Sequence, residues 1–347
     1  MAKKILLVVA VLVVAVLGRV GYKVAQASGQ FTEVETVQAD TCSTVVAAPG
    51  PEDLVIDHAT GFAYIAATDR RMTDPRPRGS IYMLDLNDPG SLPVEVLGDT
   101  PSDFFSHGVS LWRGSDGALR LFAVNHPETG ETVEIFDVAE DGQLLHAETI
   151  RSEVMHSLND VVAVGPRQFY ATNDQRFDGG IGAALEVFLG LPLGDLVYFN
   201  GEAAVIAASG FAYANGVNVS LDGQKIYVAE TIGHNLAVFD RDAGSGELSS
   251  RRDYGLSTGA DNIDVAPDGS LYIGAHPDLL AFTAHAGDPE TISPSQVVKF
   301  DPENGDLTTV YASLDGELNG SATGAYWNGS LLVGGVFDAK LARCDIQ

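Results

Sequence analysis

Short apolar runs recur along the chain in pairs, each pair split by a tight turn. Six copies of this unit align: "EDLVIDHATGFAYIAATD" from Glu52, "HGVSLWRGSDGALRLFAVNHP" from His107, "NDVVAVGPRQFYATND" from Asn159, "NGVNVSLDGQKIYVAET" from Asn215, "DNIDVAPDGSLYIGAHP" from Asp261 and "ATGAYWNGSLLVGGVF" from Ala322. Alternating or continuous apolar residues on both sides of a turn built mostly on Asp-Gly, Asn-Gly or Gly-Pro predict a β-hairpin. The copies begin about every 50 residues, and segments such as "GSIYMLDL", "ETVEIFDV" and "SQVVKFD" between them supply a third strand with room for a fourth. Four strands at a repeat of about 40 to 50 residues predict a propeller blade, and six repeats an all-β, six-bladed propeller. A solenoid is the main competitor and would need capping repeats. One stretch departs from the strand pattern. "GGIGAALEVFLGLPLG", residues 179 to 194, has helical spacing at Leu185, Phe188 and Leu189 and predicts a short helical insertion over the propeller surface.

The N-terminus reads Lys3-Lys4, an apolar run from Ile5 to Leu17, and then Ala25-Gln26-Ala27. Residues 1–27 are expected to be a signal peptide or a retained signal anchor, and residues 28–347 the propeller. The apolar run is shorter than the ~20 residues of a comfortable membrane span. Arg19 and Lys23 sit where a cleavable signal is usually uncharged, which leaves membrane association through this segment open. The chain is therefore expected to be exported, secreted or periplasmic, with or without a tether. Export places the only two cysteines, Cys42 and Cys344, where disulfides persist. Their positions near the two ends of the mature chain suit a bond that closes a ring. Two unrelated buried thiols are the alternative.

Composition narrows the partners. With 47 acidic residues against 20 Lys and Arg, the formal charge of −27 would repel polyphosphate, so nucleic acid is a poor partner and cations are better ones. In an antiparallel hairpin the start of the first strand and the end of the second lie at the same end. Glu52-Asp53, His107, Asn159-Asp160, Asn215 and Asp261-Asn262 at the starts, with Asn125-His126, Asn173-Asp174, Glu230 and His276 at the ends, should then converge on one mouth of the channel.

Carboxylate and amide oxygens without thiolate suit Ca²⁺, whereas zinc would want His or Cys in its inner sphere. Glu52, Asn159, Asn215, Asp261 and Asn262 are the candidate ligands. Asp53 and Asp160, one position deeper, are candidates for a second ion. His107 and His126 share a blade and are candidates for a general base and its proton relay. No Gly-x-Ser-x-Gly elbow, phosphate loop or dinucleotide fingerprint is present.

The order "PEDL", "FFSHGVSLW", "LFAVNHP", "LNDVVAVGPRQFYATND", "FAYANGVNVSLDGQKIYVAE", "DNIDVAPDGSLYIGAHP" and a final Cys344 resembles the serum paraoxonase/arylesterase family from about residue 40 onward. The resemblance implies a six-bladed propeller of calcium-dependent lactonases with two channel ions. It assigns Glu52, Asn159, Asn215, Asp261 and Asn262 to a catalytic calcium, and Asp53, Asp160 and the Val109 carbonyl to a structural one. His107 and His126 become a histidine dyad, with His276, Tyr213 and Gln175 lining the substrate pocket. Gln175 stands where the family pattern carries a histidine. The implied substrates are small lactones, acyl-homoserine lactones among them, and aryl esters, with phosphotriesters as weak side substrates. A gluconolactonase-type sugar lactonase and a non-catalytic, calcium-stabilised binding propeller are the rival readings.

Overall fold

The computed structural model describes residues 2–38, 41–98, 100–177 and 179–346. After the helix α1 (Ala2–Ala27) and the strand β1 (Cys42–Val46) the chain lays down five four-stranded antiparallel sheets in sequence. They are β2 (Pro51–Asp57), β3 (Phe62–Ala67), β4 (Ser80–Asp85) and β5 (Val94–Glu95); then β6 (Ser106–Arg113), β7 (Leu119–Asn125), β8 (Thr132–Val138) and β9 (Leu144–Ile150). Next come β10 (Leu158–Ala163), β11 (Phe169–Asn173), β12 (Gly194–Phe199) and β13 (Ala204–Phe211), with α2 (Gly180–Leu189) inserted before β12. The fourth sheet is β14 (Ala214–Val219), β15 (Lys225–Glu230), β16 (Asn235–Arg241) and β17 (Leu248–Gly255). The fifth is β18 (Gly259–Val265), β19 (Leu271–His276), β20 (Ser295–Phe300) and β21 (Leu307–Ser313), with α3 (Leu279–Gly287) before β20. β22 (Ser321–Trp327), β23 (Ser330–Gly335) and β24 (Lys340–Asp345) complete a sixth sheet with β1 as its outermost strand.

Each predicted hairpin is the inner pair of a blade, and the six inner strands contact one another around a ring, β22 meeting β2. A buried cluster fills every junction between blades. Phe122, Val133 and Ile135 meet Phe169 and Val197 between the second and third blades, and Leu332 and Leu341 meet Leu54 and Ile65 where the ring closes. This explains the composition of the strands. Inner pairs are covered on both faces and read as nearly continuous apolar runs, while an outer strand such as β17 is mostly exposed and polar.

Closure is both hydrogen-bonded and covalent. Cys42 of β1 lies directly opposite Cys344 of β24, and their sulfurs are bonded across 302 residues of chain. In the loop-entropy account so long a loop contributes roughly 5 to 6 kcal/mol as an upper figure, and loss of a native disulfide commonly costs about 2 to 5 kcal/mol. Cys344→Ser should therefore lower the melting temperature by roughly 3 to 7 °C for a domain of this size. Free thiols at both positions in a non-reduced digest of protein from an oxidising compartment would count against this account.

Two helices extend what the residue pattern suggested. α1 continues past the apolar run to Ala27, and from Lys3 onward it is long and apolar enough to cross a membrane. Its last turns are docked on the propeller. Arg19 donates to the carbonyls of Leu189 and Gly190 at the end of α2, and Lys23 Nζ donates to the carbonyl of Ile232 at 2.8 Å. A cation there also complements the negative end of the α2 dipole. α3 was not anticipated, although its signal is readable. Asp278 caps it by accepting from the Ala281 N–H at 2.9 Å, and apolar residues follow at 279, 280 and 282.

Candidate active site

Strict alternation along a strand would turn Asn159 and Asp160 to opposite faces. The structure avoids this at the same place in all six blades. Each inner strand opens with a register shift against its neighbour: between Pro51 and Asp53, Ser106 and Val109, Leu158 and Val161, Ala214 and Val217, Ala260 and Ile263, and Ser321 and Thr323. A bulge re-aims side chains and ends regular pairing. The bulged residues are Glu52, His107-Gly108, Asn159-Asp160, Asn215-Gly216, Asp261-Asn262 and Ala322, which include every proposed channel ligand except Asp53 and Val109, the residues that follow two of the bulges. Glycine is needed in two of them because adjacent bulges touch: a Cβ at Gly108 would lie 2.3 Å from Asp160 Oδ1, and one at Gly216 2.4 Å from the Asp261 carbonyl oxygen.

The channel opens into a cleft of about 450 Å³ lined by Glu52, His107, Asn159, Asn215, Asp261, His276 and Tyr213, among others. Asn262 lies against them, its amide donating to Glu52 Oε1 at 3.1 Å. Asp53, Val109 and Asp160 line an opening of about 460 Å³ on the other side. Gln175 is half-buried but is not among the residues lining the cleft. The chain after Asn173 is drawn away by the buried Glu186 of α2, whose carboxylate accepts from the Arg176 N–H at 3.0 Å and the Phe177 N–H at 3.3 Å.

Whether the donor set fits a hard cation turns on its buried polar atoms that lack partners. Asn159 Oδ1, Asn215 Oδ1, Asp261 Oδ1 and Asn262 Oδ1 are all buried without a hydrogen bond. Leaving such an atom unsatisfied costs about 1 to 3 kcal/mol. These four oxygens come from three inner strands, and they belong to four of the five residues proposed to hold one ion. The other ends of the side chains are tied back: Asn215 Nδ2 donates to Thr231 Oγ1 at 2.9 Å, and His276 Nε2 lies 2.6 Å from Asp261 Oδ2. All are oxygen donors, as calcium prefers. Deeper in the channel the two oxygens of Asp53 accept from the N–H groups of Leu54 and Val109, and those of Asp160 from Val161 and Val217. Each aspartate thereby ties two neighbouring inner strands together.

Electrostatics divides these acids. Burial opposes charge on Glu52, but His107, Arg70 and the Asn262 amide outweigh it and hold the carboxyl at about 2. Burial pushes Asp53 well up, with repulsion from Asp160 and Glu52 adding to it, and Asp160 is raised for the same first reason. Burial also raises Asp261, to about 6, against the pull of His276. The channel thus holds more carboxylate than its surroundings can neutralise.

His107 Nδ1 lies 2.8 Å from His126 Nε2, and His107 Nε2 lies 3.4 Å from Glu52 Oε2. Burial lowers the pKa of His107, only partly countered by Glu52, so its imidazole is neutral at neutral pH. Arg70, Thr231 and Phe282 are among the cleft residues that escaped the residue pattern. Arg70, in the loop after β3, reaches Glu52 Oε2 at 3.4 Å. Thr231 links the Asn215 amide to the Ala260 carbonyl, and Phe282 stacks on His276 at 4.1 Å between ring centres. Of these three, Thr231 directly follows the strand end Glu230, where a search of strand ends would find it.

Fold and site together define a six-bladed propeller whose channel mouth is lined by buried oxygens beside a histidine pair. The arylesterase family model matches residues 60–346, and the chain belongs to that family, whose members are carboxylic ester hydrolases. Serum paraoxonase/arylesterase 1 of Mus musculus is 34% identical over 333 residues, covering 91% of this chain and 92% of the relative. Serum paraoxonase/arylesterase 2 of Gallus gallus is 35% identical over 322 residues, covering 89% and 90%. Among solved structures, the luciferin-regenerating enzyme matches with a TM-score of 0.57 at 14% identity, over 89% of this chain and 94% of its own, a likeness of fold. Membership in an enzyme family sets aside the non-catalytic binding propeller.

Proposed function

We propose that the chain is a calcium-dependent hydrolase of lactones carrying an apolar substituent and of aryl esters, with phosphotriesters as weak side substrates. The observation that carries the metal is the set of four unpartnered buried oxygens around Glu52. Glu52, Asn159, Asn215, Asp261 and Asn262 would hold one calcium ion, and Asp53, Asp160 and the Val109 carbonyl a second, structural one. When bound among those ligands, the first ion would supply electrostatic polarisation of a substrate carbonyl. His107, neutral and facing the cleft, takes a proton from water as the water oxygen attacks the carbonyl carbon. As His107 becomes an imidazolium, its Nδ1–H bond to His126 Nε2 spreads the new charge over both rings. When the acyl–oxygen bond breaks, the imidazolium returns a proton to the leaving alkoxide, so the pair ends as it began. Tyr213 and His276 wall the reaction site.

Substrate class follows from the rest of the cleft. Val24 of α1, Phe188 of α2, Leu279 and Phe282 of α3, and Ile232 and Val336 present apolar surface around the polar floor. That wall suits an acyl chain and disfavours a polyhydroxylated sugar lactone. Each methylene buried contributes about 0.8 kcal/mol, or about fourfold in kcat/KM at about 25 °C. Acyl-homoserine lactones with long chains should therefore exceed short-chain ones and gluconolactone in kcat/KM by tenfold or more. A preference for gluconolactone would replace this reading with the sugar lactonase.

The docking of Arg19 and Lys23 supports retention of α1 in the mature, exported protein, tethered at a membrane with its cleft beside the helix. A mature N-terminus beyond Ala27 would remove this part of the proposal.

A further inference from the structure

The histidine pair alone has no direction. Two neutral imidazoles 2.8 Å apart can share a proton either way, and only one arrangement leaves His107 Nε2 with a free lone pair toward the cleft. Something must choose between them. Glu131 Oε2 lies 2.6 Å from His126 Nδ1, on the side of the ring away from His107. A carboxylate only accepts, so it fixes the proton on His126 Nδ1. His126 Nε2 must then accept from His107 Nδ1–H, and the lone pair is delivered to His107 Nε2. Glu52 pulls the other way, since its Oε2 favours a proton on His107 Nε2, but that contact is 3.4 Å and the same oxygen is approached by Arg70 at 3.4 Å. The shorter, better aligned contact dominates.

We propose that Glu131 is a positioning residue that sets the tautomer of both histidines and stabilises the imidazolium formed when His107 accepts a proton. The local chain is built to present it. Residues 127 to 130 form a turn closed by Gly130 N–H to the Pro127 carbonyl at 3.1 Å, with Gly130 at φ 105, and this folds Glu131 back over His126. Arg151 pins the turn from the next loop, donating to the carbonyls of Thr129 and Gly130. His126 is itself held at its backbone by the Phe105 carbonyl and by Arg76, which leaves its Nδ1 for Glu131. Glu131 is one-fifth exposed and lies in a surface turn, so its replacement should leave the fold intact.

The inference rests on the reading of His107 as the base, and the test separates the two. Ring-nitrogen NMR of calcium-loaded, histidine-labelled protein should show His126 and His107 each protonated at Nδ1, and Glu131→Ala should convert both to tautomer mixtures. Lactone kcat should fall about 10- to 100-fold with KM little changed, and Glu131→Asp should recover part of it. Unchanged tautomers in Glu131→Ala, or kcat within a factor of two of wild type, would overturn the role of Glu131. Full lactone activity in His107→Gln would instead sink the base assignment, while the spectra still decide what Glu131 does to the pair.

Discussion

Calcium removal should both unfold the protein earlier and abolish turnover. Four buried oxygens without donors, and a channel in which burial opposes charge on Asp53 and Asp160, form an arrangement that is unstable by itself. Each ion that binds only the folded state adds about 2.7 kcal/mol at a hundredfold excess over its Kd and about 4.1 at a thousandfold. For one or two ions in a chain of this length, EDTA should lower the melting temperature by roughly 4 to 11 °C. The disulfide persists in chelator, so the ring stays linked and the loss belongs to the channel. Restoring calcium should restore the melting temperature and the activity together, whereas magnesium, which demands six close ligands in octahedral array, should restore neither fully. Equal melting temperatures with calcium and with EDTA would exclude a channel ion as a folding element. Glu52→Gln gives an independent check: it removes one of the two charges in the ligand set, and its melting temperature should respond less to EDTA than that of wild type.

The propeller was legible because its repeating unit is local. Strand, turn and strand lie within about twenty residues in each copy, and the polar residue that opens five of the six copies marks the same place in the fold. The bulges were not legible, since a register shift is a relation between strands, yet they are what brings Asn159 and Asp160 to the same channel at different depths. The cleft wall was missed for a different reason. α1 reads as a targeting segment, and nothing local in its sequence says that Lys23 will bond to Ile232, 209 residues away. Arg70 and Glu131 sit in loops of ordinary composition, and their importance comes only from the side chains that the ring places beside them. α3 differs from these, because Asp278 and the apolar residues behind it are a local signal that the strand repeat obscured.

Replacing His107 with glutamine should lower lactone turnover by ~10² or more while the protein keeps its fold and its calcium. Glutamine fills similar space and can still meet His126, but it cannot take a proton at the position of Nε2. The ligand set should survive the loss of the imidazole, because Glu52 keeps its contacts with Arg70 and Asn262. Glu52→Gln should separate from it by losing calcium affinity and stability along with activity. The choice of substrate sharpens the comparison. An alkoxide leaving group needs the proton that the pair returns, whereas a phenolate leaves unaided, so aryl ester turnover should fall less than lactone turnover in the same variant. The decisive measurement pairs a lactone with an aryl ester of matched acyl group, using His107→Gln protein whose bound calcium has been quantified. Lactone turnover within a factor of two of wild type would remove His107 from the mechanism and leave electrostatic polarisation at the oxygen-lined site as the source of catalysis.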